Sequence, residues 1–397
     1  MELSRRVTSI APSPTLALDA KANQMRAEGI DVINFTVGQP DFNTPERICQ
    51  AAIKAINDGF TRYTPAAGTP ELKQAVCGKF KRDNGLDYTP DQVMINVGGK
   101  HSGYLVMQAL LNEGDEVVVP APYWVSYPPM VILAGGTPVI VPTQEKNKFK
   151  LQLAELEKAV SNKTKAIFLN SPSNPTGAAY SAEELLPVAQ FCAERGILIV
   201  SDEIYEPMMY DGAKFTATAS LSPLIYQNTV TLNGVSKAYA MTGWRIGYMG
   251  GPVDLIKACS KIQSQSTSNP TSIAQKAAVE ALNGPQDDVK AMVEVFARRR
   301  DLIYDLLNQI PGVSCFKPEG AFYAFPNFAA YYGKKAGDKV MTGSSELCEH
   351  LLATAHVALV PGSAFGHDEC IRFSFATSDE LIKAGVERVA TALAKLS

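Results

Sequence analysis

The sequence predicts an α/β fold in which a mostly parallel sheet is covered by helices on both faces and is joined to a smaller α+β domain. Between Gln92 and Asp202, short apolar runs rich in β-branched residues alternate with helical stretches. Strands that read as near-continuous apolar segments fit a sheet buried on both sides. After about residue 286 a long helix is followed by short strands and helices in a looser order, which reads as α+β. With 397 residues, 46% of them hydrophobic and 19% charged, the chain is long enough for two domains, or for one large domain with an appendage.

Residues 1–45 read as an arm. The A-P-S-P run ending at Pro14 prevents regular structure, residues 16–28 predict a helix, and V-I-N-F-T-V predicts a strand stopped by Gly38-Gln39-Pro40. Thr44 is the expected N-cap of the next helix, with Pro45 at its first position. A turn from Tyr63 to Pro70 leads to a helix over 71–84; so many Pro, Gly and small residues also suit a plain rigid connector. V-M-I-N-V then runs into Gly98-Gly99-Lys100 and a helix to Leu111, and E-V-V-V-P runs into Ala121-Pro122-Tyr123-Trp124. T-P-V-I-V-P, a helix over 153–160, K-A-I-F-L-N, a helix over 181–194 and I-L-I-V-S-D follow. Two more β-branched runs, 229–232 and 246–249, stop at Asn233-Gly234 and Gly250-Gly251, so Lys237 falls on a strand-to-strand connection. Residues 252–282 read as helical and a long helix over 286–309 stops at Pro311-Gly312. Strands are expected at 313–316, 321–325 and 371–375, and helices at 344–354 and 378–395. The expected division is 1–45 as an arm and part of the small domain, 46–285 as the large domain and 286–397 as the small one.

Composition narrows the partners. A net charge of -3 gives no general attraction to nucleic acid or to anionic membranes, so an anion site has to be local. No apolar run reaches the roughly 18 residues of a membrane span, and Met1-Glu2-Leu3-Ser4-Arg5-Arg6 is not followed by a hydrophobic signal core; a cytoplasmic setting is expected. The 7 cysteines are odd in number and lack C-x-x-C spacing, which fits reduced thiols. His101, His350, His356 and His367 show no ligand spacing, so no metal is expected.

Ligands on such sheets bind beyond the carboxyl ends of the strands. Lined up there are Gly99, Lys100, Trp124, Asn174, Asp202 and Tyr205, with Lys237 and Arg245 beyond. Gly98-Gly99-Lys100, between a strand and a helix, offers free backbone N–H groups and the positive end of a helix dipole; a tight turn reads the same way. It has neither G-x-x-x-x-G-K-[ST] nor G-x-G-x-x-G spacing, which disfavours a nucleoside triphosphate or a dinucleotide. Asp202 at a buried strand end needs a cation. A protonated ring nitrogen would serve, with Tyr205 reaching a phenolic oxygen on the same ring; a helix cap or a structural salt bridge are the plainer readings. A desolvated Lys237 becomes a nucleophile toward carbonyls, although a surface lysine is the commoner case. Trp124 can stack on a ring, and the Arg245 fork suits a phosphate. Together these groups describe pyridoxal 5'-phosphate.

Ser171-Pro172-Ser173-Asn174-Pro175-Thr176-Gly177, Ser201-Asp202-Glu203-Ile204-Tyr205 and the run from Ser236 to Gly247, S-K-A-Y-A-M-T-G-W-R-I-G, resemble the signatures of the class I aminotransferases of fold type I, in family order and spacing. The resemblance extends from about Pro12 to the C-terminus. It implies a large domain with a mostly parallel seven-stranded sheet between helices, plus a small α+β domain. It also implies that Lys237 attaches the cofactor and later shuttles a proton, and that Asp202 keeps the ring nitrogen protonated. Tyr205 and Asn174 would hold the phenolic oxygen, and Asn174 could also touch the substrate carboxylate; Trp124 would stack on the ring. Arg245, Ser236 and the Gly99 and Lys100 amides would hold the phosphate. Tyr63 matches a tyrosine that reaches the neighbouring subunit's phosphate, which implies a homodimer with shared active sites. Gly234 departs from the pattern, because many relatives carry Ser or Thr there as a phosphate ligand.

Arg372, in I-R-F-S-F-A on a short apolar strand, matches the family arginine that takes the α-carboxylate as a bidentate pair, with a salt bridge to a protein carboxylate as the plainer reading. Gly38 matches the position whose N–H meets the same carboxylate. Ser13-Pro14-Thr15-Leu16 with Lys100 resembles the bacterial aspartate aminotransferase subgroup, in which the matching threonine and lysine meet the side-chain carboxylate. Some members of that subgroup also act on prephenate. An aromatic or neutral amino acid aminotransferase, and a lyase on the same fold, are the alternatives; a regulatory cofactor-binding domain lacks the basic DNA-binding segment it would need.

Overall fold

The computed structural model describes residues 1–12 and 14–397, with Pro14 and Leu16 described by their backbone. Ser13 and the side chains of Pro14 and Leu16, part of the motif read around Thr15, lie outside the described residues. The arm contains the helix Pro14–Ala27 and the strand β1 (Ile33–Asn34).

Seven strands then build one sheet. They are β2 (Val93–Asn96), β3 (Glu116–Ala121), β4 (Thr137–Pro142), β5 (Thr164–Asn170), β6 (Leu198–Asp202), β7 (Thr229–Gly234) and β8 (Gly247–Gly250). Their spatial order is β2-β8-β7-β6-β5-β3-β4. Neighbours from β7 to β4 pair in parallel, whereas β8 runs antiparallel to both β7 and β2. The expectation of a mostly parallel seven-stranded sheet is met, and β8 is its one reversed strand. β2, β7 and β8 are buried along their whole length, which is why their sequences read as continuous apolar runs.

The smaller part contains β9 (Tyr323–Ala324), the hairpin β10 (Lys335–Ala336) and β11 (Lys339–Val340), β12 (Val357–Ala358), β13 (Val360–Pro361) and β14 (Ile371–Ser374). β13, β14 and β9 form an antiparallel sheet. β1 pairs in parallel with β12, Ile33 opposite Val357, so the arm is stitched to the C-terminal part. Phe35, Phe296, Phe322 and Phe373 are fully buried there in one apolar cluster that also takes in Tyr205. This brings the small sheet against the carboxyl end of β6.

Local chemistry explains the element ends. Thr69 caps the helix Pro70–Asn84, its hydroxyl accepting from the Leu72 N–H at 3.3 Å, and Gly85 at φ 67 closes it. Ser181 and Glu184 form a capping box on Ala182–Glu194. Thr44 is not a cap, contrary to expectation. The helix Glu46–Asn57 starts after an extended Pro45, and the Thr44 hydroxyl instead donates to the Ala240 carbonyl at 2.8 Å and accepts from Trp244 Nε1 at 3.0 Å. Those two bonds tie the arm to the connection that carries Lys237. Residues 313–316 form no strand; Ser314 makes an isolated bridge to Asn327. The helix Tyr127–Leu133 was not anticipated, because Pro128-Pro129 reads as a breaker, yet proline is compatible with a first helical turn.

Candidate active site

The carboxyl ends of β5, β6 and β7 open on a cavity of about 430 Å³. Its other walls come from Thr36 to Gln39, from the start of the helix Gly99–Leu110, and from Tyr323 and Arg372 of the small sheet. Because β8 reverses direction, the chain leaving β7 returns at the same end of the sheet, and both Lys237 and Arg245 line this cavity.

Lys237 donates from Nζ to the Gly38 carbonyl, and its ammonium lies 6.0 Å from the centre of the Tyr205 ring. Burial, reinforced by the charges of Arg245 and Arg372, pushes its pKa down to about 8. The lysine is therefore poised to lose its proton near neutral pH, as a nucleophile requires.

Asp202 is buried at the end of β6. One carboxylate oxygen accepts from the Tyr127 hydroxyl at 2.8 Å and the other from the Ile204 N–H at 3.3 Å. Burial raises its pKa, partly opposed by these two bonds and by the Lys237 charge. Tyr127 is held in turn by stacking on Phe168, ring centres 4.3 Å apart, with Trp124 edge-on at 5.3 Å. Tyr205 is buried and shares a hydrogen bond of 2.8 Å with the Tyr323 hydroxyl.

Arg372 is buried on β14. Its guanidinium donates to Asn174 Oδ1 at 3.0 Å and to the Thr36 carbonyl at 2.6 Å, while Nε has no partner among the described residues. No carboxylate among the described residues pairs with it, which leaves a buried cation facing neutral oxygens. Asn174 N–H donates to Asn170 Oδ1 at 2.8 Å, and Asn170 Nδ2 donates to the Asp202 carbonyl at 2.9 Å. A string of hydrogen bonds through Asn174 and Asn170 thus links Arg372 to the strand that carries Asp202.

Arg245 takes a left-handed conformation, φ 56, and donates to the Thr242 carbonyl at 2.9 Å and the Val97 carbonyl at 3.4 Å. Its fork lies directly on Gly98, where an added Cβ would come within 2.1 Å of Nη2. Gly98 also has φ +85, so glycine is needed there twice over. Gly99 begins the twelve-residue helix, and Ser236 is buried at the cavity wall. At Gly234 a Cβ would stand 3.1 Å from Gly247 Cα and from the Ile246 carbonyl. A Ser or Thr there, as the family pattern favours, would press on the backbone of the paired strand.

Lys100 places its ammonium 5.0 Å from the centre of the Trp124 ring, and burial together with the Arg245 charge lowers its pKa. Thr15 and Gly38 line the same cavity. Tyr63 lies apart from it and is 89% exposed. Of the residues singled out in the sequence, Thr15, Gly38, Gly99, Lys100, Trp124, Asn174, Asp202, Tyr205, Ser236, Lys237, Arg245 and Arg372 are brought together. Sequence reasoning missed Tyr127, Asn170 and Tyr323. Tyr323 stands among apolar residues and reads as core, Tyr127 between Ser126 and Pro128 reads as a turn residue, and Asn170 reads as a strand terminator.

These residues fit pyridoxal 5'-phosphate. A buried carboxylate with no cation in contact among the described residues suits a ring N–H, and the Gly98-Gly99 start of a helix against an arginine suits a phosphate. The polypeptide matches the family described as aminotransferase class I and II over residues 30–389. The chain belongs to this family. Members use pyridoxal 5'-phosphate, so the cofactor expected from the lysine, aspartate and arginine is that of this aminotransferase too. The chain is similar to the aspartate aminotransferase of Geobacillus stearothermophilus, 52% identical over 98% of each chain. It is also similar to the aspartate/prephenate aminotransferase of Cereibacter sphaeroides, 49% identical over 100% of this chain and 99% of the relative. The crystal structure of the aspartate aminotransferase from Rhizobium meliloti superposes with a TM-score of 0.96 at 46% identity, covering 100% of both chains. Among the described residues no helix is long and apolar enough to cross a membrane, and no group of three or more His, Cys, Asp or Glu could hold a metal.

Proposed function

We infer that the protein is an aspartate aminotransferase, moving the amino group of aspartate or glutamate to a 2-oxo acid such as 2-oxoglutarate or oxaloacetate by a two-stage exchange through the cofactor. The observation that carries this reading is that Arg372 and Lys100 open on the same cavity as Lys237. Two cations flanking one nucleophilic amine suit a substrate with two carboxylates. The relatives named for aspartate support the same substrate.

When bound, pyridoxal 5'-phosphate supplies an electron sink for the pair left behind as the substrate loses its Cα proton. The chain's own groups do the rest. Lys237 would attach the cofactor and, as a neutral amine, take and return that proton. Asp202 would face the ring nitrogen, and a proton held there offsets the cost of burying the carboxylate. Tyr205 and Asn174 would donate to the ring's phenolic oxygen, and Trp124 would cover one ring face. Arg245, Ser236 and the Gly99 and Lys100 amides would hold the phosphate. Arg372, with Asn174 and the Gly38 N–H, would fix the α-carboxylate; Thr15 and Lys100 would meet the second one. The same reading makes residues 46–285 the large domain, with 1–45 and 286–397 forming the arm and small domain.

Tyr63 would complete the phosphate site of a second copy, which makes the working unit a homodimer with shared sites. Its 89% exposure leaves the ring open to a second copy. A cytoplasmic setting agrees with seven cysteines that are all free. Prephenate is a second substrate in this reading, supported by the relatives named for both activities.

The test is the first half-reaction, followed by absorbance, with aspartate, glutamate, phenylalanine and alanine in turn, and prephenate, a 2-oxo acid, is tried as the acceptor against the amine form. Aspartate and glutamate should convert the cofactor to its amine form with one equivalent of 2-oxo acid. Preference for a neutral donor, or release of ammonia instead of cofactor conversion, would overturn the assignment.

A further inference from the structure

Tyr205 and Tyr323 each place a phenol in the cavity wall, and their hydroxyls are 2.8 Å apart. Both side chains are buried, and burial raises both phenols above their ordinary range, so at neutral pH the pair holds two protons. One hydrogen bond uses one of them. Among the described residues each hydroxyl has the other as its sole hydrogen-bond partner, so the second proton points away from the pair.

Two arrangements are possible, and their surroundings differ. If Tyr205 donated, the Tyr323 proton would be left over. That hydroxyl is packed against the arm, 3.1 Å from where a Cβ on Gly38 would stand, and the Tyr323 ring is covered by the Arg372 guanidinium, 4.6 Å from its centre. A leftover proton would face a crowded wall and a cation, and an unpartnered buried donor is costly. If Tyr323 donates, the Tyr205 proton is left over, and Tyr205 faces the part of the cavity that holds Lys237 and Asp202.

We propose that Tyr323 is a positioning residue that donates its proton to Tyr205 and so aims the Tyr205 O–H at the phenolic oxygen of the cofactor. The inference rests on the reading that Tyr205 contacts that oxygen. Tyr323 stands on β9, next to β14, which carries Arg372, so the strand pair that holds the substrate's carboxylate also sets the direction of a proton on the cofactor side.

The experiment titrates the visible absorbance of the lysine-bound cofactor against pH in the holoenzyme, using Tyr205→Phe, Tyr323→Phe and the double variant. A donor on the phenolic oxygen stabilises its negative charge and lowers the pKa of the proton shared with the attached lysine nitrogen. Tyr205→Phe should therefore raise the apparent pKa by about one unit, and Tyr323→Phe by about half a unit. The double variant should shift no further than Tyr205→Phe alone, because Tyr323 acts through Tyr205. If Tyr205→Phe leaves the titration unmoved, the contact assigned to Tyr205 is wrong. If Tyr205→Phe shifts it and Tyr323→Phe does not, or if the two shifts add, the role of Tyr323 is refuted while the contact stands. Phenylalanine keeps both rings, and an effect on packing alone would leave the titration in place.

Discussion

Arg372 and Asn174 stand 198 positions apart in the sequence and share a hydrogen bond of 3.0 Å, guanidinium Nη1 to amide Oδ1. From Asn174 the contact passes to Asn170 and on to the Asp202 carbonyl. The group assigned to the substrate's carboxylate is thereby held in register with the group assigned to the cofactor's ring. Arg372→Lys keeps the charge but loses the planar fork that makes these bonds. Hydrogen bonds to charged groups are worth about 1.5–3 kcal/mol, so kcat/KM for aspartate should fall about tenfold to a hundredfold. Steady-state kinetics checks this, with most of the loss expected in KM.

Lys100→Ala should separate dicarboxylates from neutral donors. Loss of the second cation is expected to reduce kcat/KM for aspartate about tenfold or more, while phenylalanine, which has no second carboxylate, changes little. Equal losses for both would place Lys100 on the phosphate alone.

Lys237 carries a stability signature in the cofactor-free protein. Its pKa is lowered from 10.5 to about 8 in the fold, so between those values the unfolded chain binds more protons and stability rises with pH. Below about pH 8 both states are charged and the cost of burying the ammonium is felt in full. Lys237→Met should then raise the unfolding midpoint of the apoprotein at pH 7 by about 2 °C. The advantage should shrink through the window and vanish above pH 10.5, as scanning calorimetry across pH can show.

Gly234→Ser restores the residue type usual in the family but should not restore a phosphate contact. Its Cβ would meet the backbone of β8 at 3.1 Å, and a strand paired on both edges yields little. The expected result is a loss of about 1 kcal/mol of stability with no tighter cofactor binding, read from thermal melts and from cofactor titration.

Much of this was visible in the sequence because the relevant signals are local. β-Branched runs mark buried parallel strands whatever surrounds them, and Gly98-Gly99 marks a turn that only small residues can make. Asp202 and Arg372 stood out because a charge on an apolar strand requires a partner. Tyr323 did not stand out, because an aromatic between apolar neighbours looks the same whether its hydroxyl faces a core or a cavity, and Tyr127, between Ser126 and Pro128, reads as part of a turn. Thr44 was misjudged for a related reason. A threonine before a proline matches a helix cap, but its hydroxyl is taken by Ala240 and Trp244, about two hundred positions away, and no local pattern encodes that. The direction of β8 was equally silent, since a buried strand has the same composition running either way.

That reversal bears on how the protein tolerates change. The connection from Lys237 to Arg245 works as a spacer of set length between the amine and the guanidinium. One residue added or removed there would displace both chemistries at once. At the opposite rim of the sheet, where the turns lead back into the strands, the same edit would alter surface and leave that spacing intact. The rim that fixes the chemistry and the rim that tolerates such edits are therefore on opposite sides of the sheet, and the reversed β8 keeps both ends of the spacer on the first.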